Sequence, residues 1–259
     1  MTDDAIEMGR PVDLFILAGQ SNAQGHTGDA AQYPADPAAD ARIPFWWHIP
    51  NGPSSGGWTT LGPQTGLYPA GHFGPEVSFA RALRNAGLQP AVFKCALGST
   101  SIANNWKAPG AGGMYDLMTG EYRAAVRQLT GRGVRVRHRA FVWIQGESDG
   151  ETVSMAKAYE AGLRMLLEDV RTAMTGEPRL PFILGVDEQH PWMVAQPEVI
   201  AAQQRLAREL LPAVFTGMYG LEKADVTHLT PVGLVAHGQR LADAFLTAWP
   251  DGPVCASMA

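Results

Sequence analysis

Serine, histidine and carboxylate side chains stand where a hydrolytic site could be built. The segment GQSN (19–22) directly follows an apolar run, and DVTH (225–228) lies near the other end of the chain. A serine hydroxyl becomes a nucleophile when a histidine takes its proton, and a carboxylate orients that histidine. Asp225 and His228 are three residues apart, so a tight turn would place the carboxylate against one ring nitrogen. With Ser21, they are candidates for nucleophilic acyl transfer.

Further polar segments follow the other apolar runs. GSTS (98–101) comes after the second run and QGESD (145–149) after the third. Ligands of an open parallel sheet bind beyond the carboxyl ends of its strands. We therefore expect these segments to converge with Ser21 on one edge of one sheet.

The elements that would position these residues alternate along the chain. Nearly continuous apolar runs are typical of strands buried on both faces, and longer stretches with helical periodicity separate them. The predicted strands are 12–18, 91–97, 140–144, 181–186 and 213–217, and the predicted helices are 76–85, 120–129, 154–174, 197–211 and 231–248. This order predicts an α/β fold, a three-layer α/β/α sandwich around a central parallel sheet of about five strands.

One connection, residues 26–74, has no clear periodicity. Loops of this length are usually functional or disordered. Trp46, Trp47 and Trp58 give this loop too much aromatic surface for a disordered linker. We find no repeat and no domain boundary, so residues 1–259 are predicted to form one domain with short flexible tails.

Composition excludes several classes of function. The 259 residues are 46% hydrophobic and 17% charged, with a net charge of -5, so no basic surface is available for nucleic acid or an anionic membrane. No run approaches the roughly 20 apolar residues of a membrane span. Cys95 and Cys255 do not form a disulfide framework, and the histidines lack the spacing of metal ligands. We expect a cytoplasmic protein without a signal peptide, metal or cofactor, acting on a small neutral molecule.

Four ordered segments carry a family resemblance. GQSNAQG, ALGSTSI, VWIQGESD and DVTHLTPVG together resemble the SGNH-hydrolase superfamily, in particular its carbohydrate esterase family 6 and sialate O-acetylesterase-like branch. The segments span residues 19–233 and thus most of the chain. The resemblance implies a flavodoxin-like fold, a metal-free serine esterase mechanism and acetylated carbohydrate as substrate.

The resemblance also assigns roles to residues. It implies Ser21 as nucleophile, His228 as general base and Asp225 as its supporting acid. The oxyanion hole would comprise the Ser21 and Gly98 amides and the side chain of Gln145.

Several alternatives stay open. Glu147 is either an auxiliary acid that supports the histidine or a member of a buried salt bridge. Asp187 and His190 repeat the Asp-x-x-His spacing, and we expect His190 at the pocket rim, where it could bind substrate. The three tryptophans of the loop either stack on sugar rings or fix the loop to the body.

The function itself has alternatives. The leading hypothesis is an acetylesterase that acts on acetylxylan or acetylated sialic acid through an acyl-enzyme. A lipase-like or thioesterase member would need a long apolar acyl channel. A carbohydrate-binding protein without catalysis would not need the serine, histidine and acid together.

Overall fold

A seven-stranded sheet forms the centre of the protein, in a computed structural model that describes residues 9–250. Its strands are β1 (Val12–Gly19), β2 (Pro44–His48), β3 (Thr59–Thr60), β4 (Pro90–Ala96), β5 (Val136–Ile144), β6 (Phe182–Gly185) and β7 (Ala213–Phe215). Their order across the sheet is β3-β2-β4-β1-β5-β6-β7. The short β3 pairs antiparallel with β2, and the other neighbouring strands pair parallel.

Helices cover both faces of the sheet. They are α1 (Ser21–Gln24), α2 (Pro37–Asp40), α3 (Glu76–Asn85), α4 (Met114–Thr130), α5 (Val153–Asp169), α6 (Pro191–Ala195), α7 (Glu198–Glu209) and α8 (Pro231–Ala248). Apolar side chains of α3 and α8 share one core with the sheet, and those of α4, α5 and α7 share the other. The predicted three-layer sandwich is confirmed.

The central strand β1 shows why the sheet is buried on both faces. All eight of its residues are buried. Leu14 and Ile16 belong to the core under α4, α5 and α7, whereas Phe15 and Leu17 belong to the core under α3 and α8. Because successive side chains of a strand point to opposite faces, a continuous apolar run fills both cores.

Strand order places a crevice at the end of β1. After β1 the chain forms β2, β3 and β4 on one side of β1, and it then forms β5 on the other side. Such a reversal leaves a gap between the connections that leave the carboxyl ends, which is where open α/β sheets bind ligands. The residues after β1 therefore lie at the expected position for a site.

The structure differs from the prediction mainly in residues 26–74. This connection contains α2 and also β2 and β3, so the sheet has seven strands rather than about five. The short α6 was not predicted either, and α4 begins six residues before its predicted start at Gly120.

Two smaller expectations concern cysteines and membrane spans. Cys95 is buried in β4, and Cys255 lies outside the described residues. Within residues 9–250, no helix combines the length and the apolar character needed to cross a membrane.

Candidate active site

A sharp turn at the end of β1 presents Ser21. Gly19 has φ +143°, and a Cβ at this position would lie 2.0 Å from the carbonyl oxygen of Ile144, so only glycine fits. The Gln20 amide donates to the same carbonyl at 2.9 Å, and the Leu97 amide donates to the Gly19 carbonyl at 3.2 Å. The ends of β4 and β5 thus fix the turn, and Ser21 begins α1 beside both strands.

His228 and Asp225 form a hydrogen-bonded pair. His228 Nδ1 lies 2.9 Å from Asp225 Oδ2, and Asp225 Oδ1 accepts the amides of Thr227 and His228 at 2.7 Å each. Burial alone would raise the pKa of Asp225, but the bonds from the His228 ring and the two amides lower it to about 2. An ionised carboxylate only accepts hydrogen bonds, so Nδ1 carries the ring proton and Nε2 of neutral His228 is left as a base.

Asn22 holds the His228 segment next to the nucleophile. Its Nδ2 donates to the Thr227 carbonyl at 2.9 Å, and its Oδ1 accepts the Leu229 amide at 3.1 Å. The side chain adjacent to Ser21 therefore binds the chain on both sides of His228. Among the described residues, no hydrogen bond joins Ser21 Oγ directly to His228.

His26 packs against the same imidazole. The ring centroids of His26 and His228 are 4.7 Å apart, with 31° between the planes. The His26 amide donates to the Ser21 carbonyl at 3.0 Å, and Thr27 Oγ1 donates to the Leu229 carbonyl. Burial and the His228 ring hold the pKa of His26 below its ordinary value. His26 is thus a neutral aromatic neighbour of the predicted base at neutral pH.

Gly98 lies beside Ser21, but its amide has another partner. A Cβ on Gly98 would be 3.3 Å from Ser21 Cβ, which confirms that the two segments meet. The Gly98 amide donates to Gln24 Oε1 at 2.8 Å. In contrast, the Ser21 amide donates to no other group of the described residues. Of these two predicted oxyanion donors, only the Ser21 amide is unoccupied.

Both hydrogens of the Gln145 side-chain amide are engaged as well, whereas its Oε1 is buried without a partner in the described part of the chain. Its Nε2 donates to the Thr100 carbonyl at 3.0 Å and to Asp149 Oδ2 at 2.6 Å, which uses both amide hydrogens. Asp149 also accepts the amides of Ile102 and Ala103. In this structure Gln145 and Asp149 fasten the loop after β4 to the end of β5, so neither Gln145 hydrogen points to an oxyanion.

Glu147 is buried near the site without touching His228. The residue is 1% exposed, and its Oε1 accepts the Asp187 amide at 3.0 Å. Its Oε2 is buried without a partner in the described part of the chain. Burial, with a smaller contribution from the Asp187 carboxylate, raises the pKa of Glu147 to about 7. No contact supports its predicted auxiliary role on His228, and no ion pair within residues 9–250 supports the salt bridge.

His190 does not form a second histidine–carboxylate pair. The Asp187 carboxylate binds Lys223 Nζ instead. His190 Nδ1 accepts the Trp192 amide at 3.2 Å, so the neutral ring carries its proton on Nε2, which lies 3.1 Å from Thr227 Oγ1. His190 therefore caps α6 and contacts the segment that bears His228. It is only 5% exposed, and its role at the rim in binding substrate stays a prediction.

The predicted tryptophan platform is wrong. Trp46, Trp47 and Trp58 are only 3%, 6% and 6% exposed, so none offers a ring face to a sugar. Trp58 Nε1 donates to the Ala125 carbonyl at 2.9 Å, and Trp46 Nε1 donates to Glu121 at 3.3 Å. The tryptophans fix the loop to the body of the protein, which was the other interpretation.

A buried ion pair beneath α1 was not predicted. Lys94 Nζ contacts Glu76 Oε2 at 2.6 Å and donates to the Gln24 carbonyl at the end of α1 at 2.9 Å. Glu76 Oε1 accepts the Gly74 amide at 2.8 Å. The only signal in the sequence is a lysine within the apolar run of β4. Lys94 thus supports the short helix that begins with Ser21.

Comparison with known proteins identifies a family for most of the chain. Residues 11–247 match the family described as carbohydrate esterase, sialic acid-specific acetylesterase. No match to a curated protein was found.

Solved structures share the fold. A protein from Arabidopsis thaliana is 25% identical with a TM-score of 0.69, covering 92% of this chain and 99% of that one. NanS is 16% identical with a TM-score of 0.67, and the match covers 93% of this chain and 98% of that one. The carbohydrate acetylesterase XAC1771 from Xanthomonas citri is 19% identical with a TM-score of 0.58, covering 91% of this chain and 56% of that one.

Proposed function

The chain belongs to the carbohydrate esterase family of sialic acid-specific acetylesterases, and we propose that it removes O-acetyl groups from a carbohydrate through an acyl-enzyme on Ser21. Family membership supports a carbohydrate acetylesterase. The serine mechanism is our proposal, and it rests on one arrangement. Asn22, adjacent to Ser21, forms hydrogen bonds to the residues before and after His228, and His228 Nδ1 is hydrogen-bonded to Asp225.

In the first half-reaction, Ser21 Oγ attacks the acetyl carbonyl carbon while His228 Nε2 takes the hydroxyl proton. The bond from this carbon to the sugar oxygen then breaks, and His228 returns the proton to the sugar hydroxyl that leaves. Asp225, whose pKa is about 2, stays ionised at neutral pH and stabilises the imidazolium. The acetyl group is left on Ser21.

In the second half-reaction, His228 Nε2 takes a proton from water as the water oxygen attacks the acetyl carbon. The bond to Ser21 Oγ breaks, Oγ recovers the proton, and acetate leaves. The negative oxygen of each tetrahedral intermediate needs donors, and the Ser21 amide is the unoccupied one. Losing one such donor typically costs about 3–4 kcal/mol of barrier. The Gly98 amide can contribute to the oxyanion hole only if its hydrogen bond to Gln24 opens. The Gln145 side chain can contribute only if its hydrogen bond to Thr100 or to Asp149 opens.

An acetate-release panel tests this function. Acetylated xylo-oligosaccharides, O-acetylated sialic acid and ethyl acetate should be offered to the wild type and to Ser21→Ala. We expect acetate release from at least one acetylated carbohydrate and a loss of at least about 1,000-fold in the variant. Retention of activity within about ten-fold would refute the mechanism, and hydrolysis of ethyl acetate alone would refute the carbohydrate substrate.

Longer acyl esters belong in the same panel. An apolar cavity of about 330 Å³ lies between the loop after β4 and α5, lined by Ile102, Trp106 and Leu166 among others. Ser21 and His228 are not among its lining residues, so this cavity does not provide the acyl channel that a lipase-like or thioesterase substrate would need. A preference for octanoyl over acetyl esters would favour that alternative.

A further inference from the structure

With the three loop tryptophans buried, the sugar must be recognised by other groups. Within residues 9–250, the exposed large aromatic side chains are Tyr68, Trp192 and Tyr219, which are 44%, 39% and 70% exposed. Two of these three side chains adjoin the histidines around the candidate site. An aromatic ring held open to solvent beside a reactive group is suited to bind the flat apolar face of a sugar.

Tyr68 is held beside His26. Its hydroxyl donates to the His26 carbonyl at 3.1 Å, and the His26 ring packs on His228. The Tyr68 backbone has φ +59°, a left-handed conformation that is unfavourable for a bulky residue. Such conformations cluster at ligand-binding positions. The hydrogen bond thus keeps an exposed ring beside His26, whose own ring packs on the predicted base, despite the backbone strain.

Trp192 adjoins the other histidine near the base. Its ring lies 5.1 Å from the His190 ring at an angle of 60°, and His190 Nε2 contacts Thr227, the residue before His228. Beside it, a hollow of about 500 Å³ separates the start of α6 from the Asp225 turn. The residues that line this hollow are Gln189, Pro191, Lys223, Ala224, Asp225 and Val226.

We propose that Tyr68 and Trp192 bind the carbohydrate part of the substrate by stacking on sugar rings, Tyr68 beside His26 and Trp192 beside His190. Both histidines contact the segment 227–228, so both aromatic rings border the approach to His228. The Tyr68 hydroxyl is already engaged, so its contribution is the ring face. This assignment rests on the proposed function.

The test compares two substrates. Tyr68→Ala and Trp192→Ala should be assayed on the best acetylated carbohydrate of the panel and on ethyl acetate, which has no ring to stack. We expect the ratio of kcat/KM for the carbohydrate to kcat/KM for ethyl acetate to fall about five-fold in each variant. Tyr68→Phe and Trp192→Phe keep a ring and should retain most of that ratio.

Tyr219→Ala is the matched control. Tyr219 is exposed, but its backbone contacts Glu188 and Arg240 rather than the segment around His228. This variant should keep the wild-type ratio. Unchanged ratios in Tyr68→Ala and Trp192→Ala would overturn the assignment, as would equal losses on both substrates together with a lower Tm. If the wild type released acetate from no carbohydrate, the proposed function itself would fail, so the two failures are distinguishable.

Discussion

The imidazole of His26 lies against that of His228, with 4.7 Å between ring centroids and 31° between planes. Asp225 contacts the edge of the His228 ring at Nδ1, whereas His26 covers a face. Two different contacts therefore restrict the same ring: the carboxylate fixes its tautomer, and the stack restricts its rotation.

Replacing His26 should reveal the value of the stack. His26→Ala removes the ring, so we expect kcat/KM for ethyl acetate to fall about three- to ten-fold. His26→Phe keeps a flat ring without a titratable group and should stay within about two-fold of wild type. Steady-state kinetics at pH 8, with Tm as a folding check, measure both. Equal impairment of the two variants would show that the ring face contributes nothing.

The two Asp-x-x-His segments should differ sharply in activity. His228→Ala removes the group that takes the Ser21 proton and should lower kcat by about 1,000-fold or more. His190→Ala loses a cap of α6 and should lower kcat far less, because Asp187 binds Lys223 rather than His190. Acetate release by both variants under the same conditions makes the comparison. Reversed effects would assign the base to His190.

Glu147 should make stability depend on pH. Its pKa of about 7 in the folded state lies above its ordinary value. Between these two values the folded protein holds a proton that the unfolded chain has released, so the free energy of unfolding falls as pH rises. Glu147→Gln lacks this titration. Its free energy of unfolding, measured with urea, should therefore increase relative to that of the wild type as the pH rises from about 5 to about 8.

The control for that measurement is Glu151→Gln. Glu151 is exposed and lies in the same 3₁₀ turn as Glu147, residues 147–151. The control should leave the pH dependence of stability unchanged. A constant stability difference between Glu147→Gln and wild type across this range would show that Glu147 does not titrate as described.

The effects on stability of replacing Lys94 and Glu76, the ion pair under α1, should be strongly coupled. Lys94→Met leaves the Glu76 carboxylate buried without its cation, so we expect a loss of about 3–5 kcal/mol in the free energy of unfolding, and similarly for Glu76→Gln. The double variant should lose less than the sum of the two. A pair at the surface, exposed Arg205 and half-buried Glu160 at 2.6 Å, serves as control: Arg205→Ala should cost less than about 1 kcal/mol. Additive losses at Lys94 and Glu76 would contradict the coupling.

The sheet and the position of Ser21 could be predicted because their signals are local. An apolar run such as Leu14–Ala18 has to be buried on both faces, and the polar residues that follow it then lie at the carboxyl edge. The segment Pro44–His48 gave a weaker signal, because five residues that begin with proline and contain two tryptophans show no periodicity. Its identity as a strand depends on pairing with β4, which lies far along the chain.

The partners of the predicted oxyanion donors could not be predicted. The Gly98 amide binds the side chain of Gln24, and Gln145 binds Asp149 and the Thr100 carbonyl. Most of these contacts join segments that only the fold brings together. Likewise, the burial of Trp46 and Trp58 depends on α4, and composition alone does not distinguish a buried ring from an exposed one.

Covalent labelling of Ser21 tests the central claim most directly. The enzyme is treated with a fluorophosphonate, digested and analysed by mass spectrometry. We predict one modified peptide, with the phosphonyl group on Ser21, and much slower labelling in His228→Ala because the hydroxyl then lacks its base. Ser21→Ala should remain unlabelled and inactive. Labelling of a different residue, or acetate release by Ser21→Ala near the wild-type rate, would contradict the account.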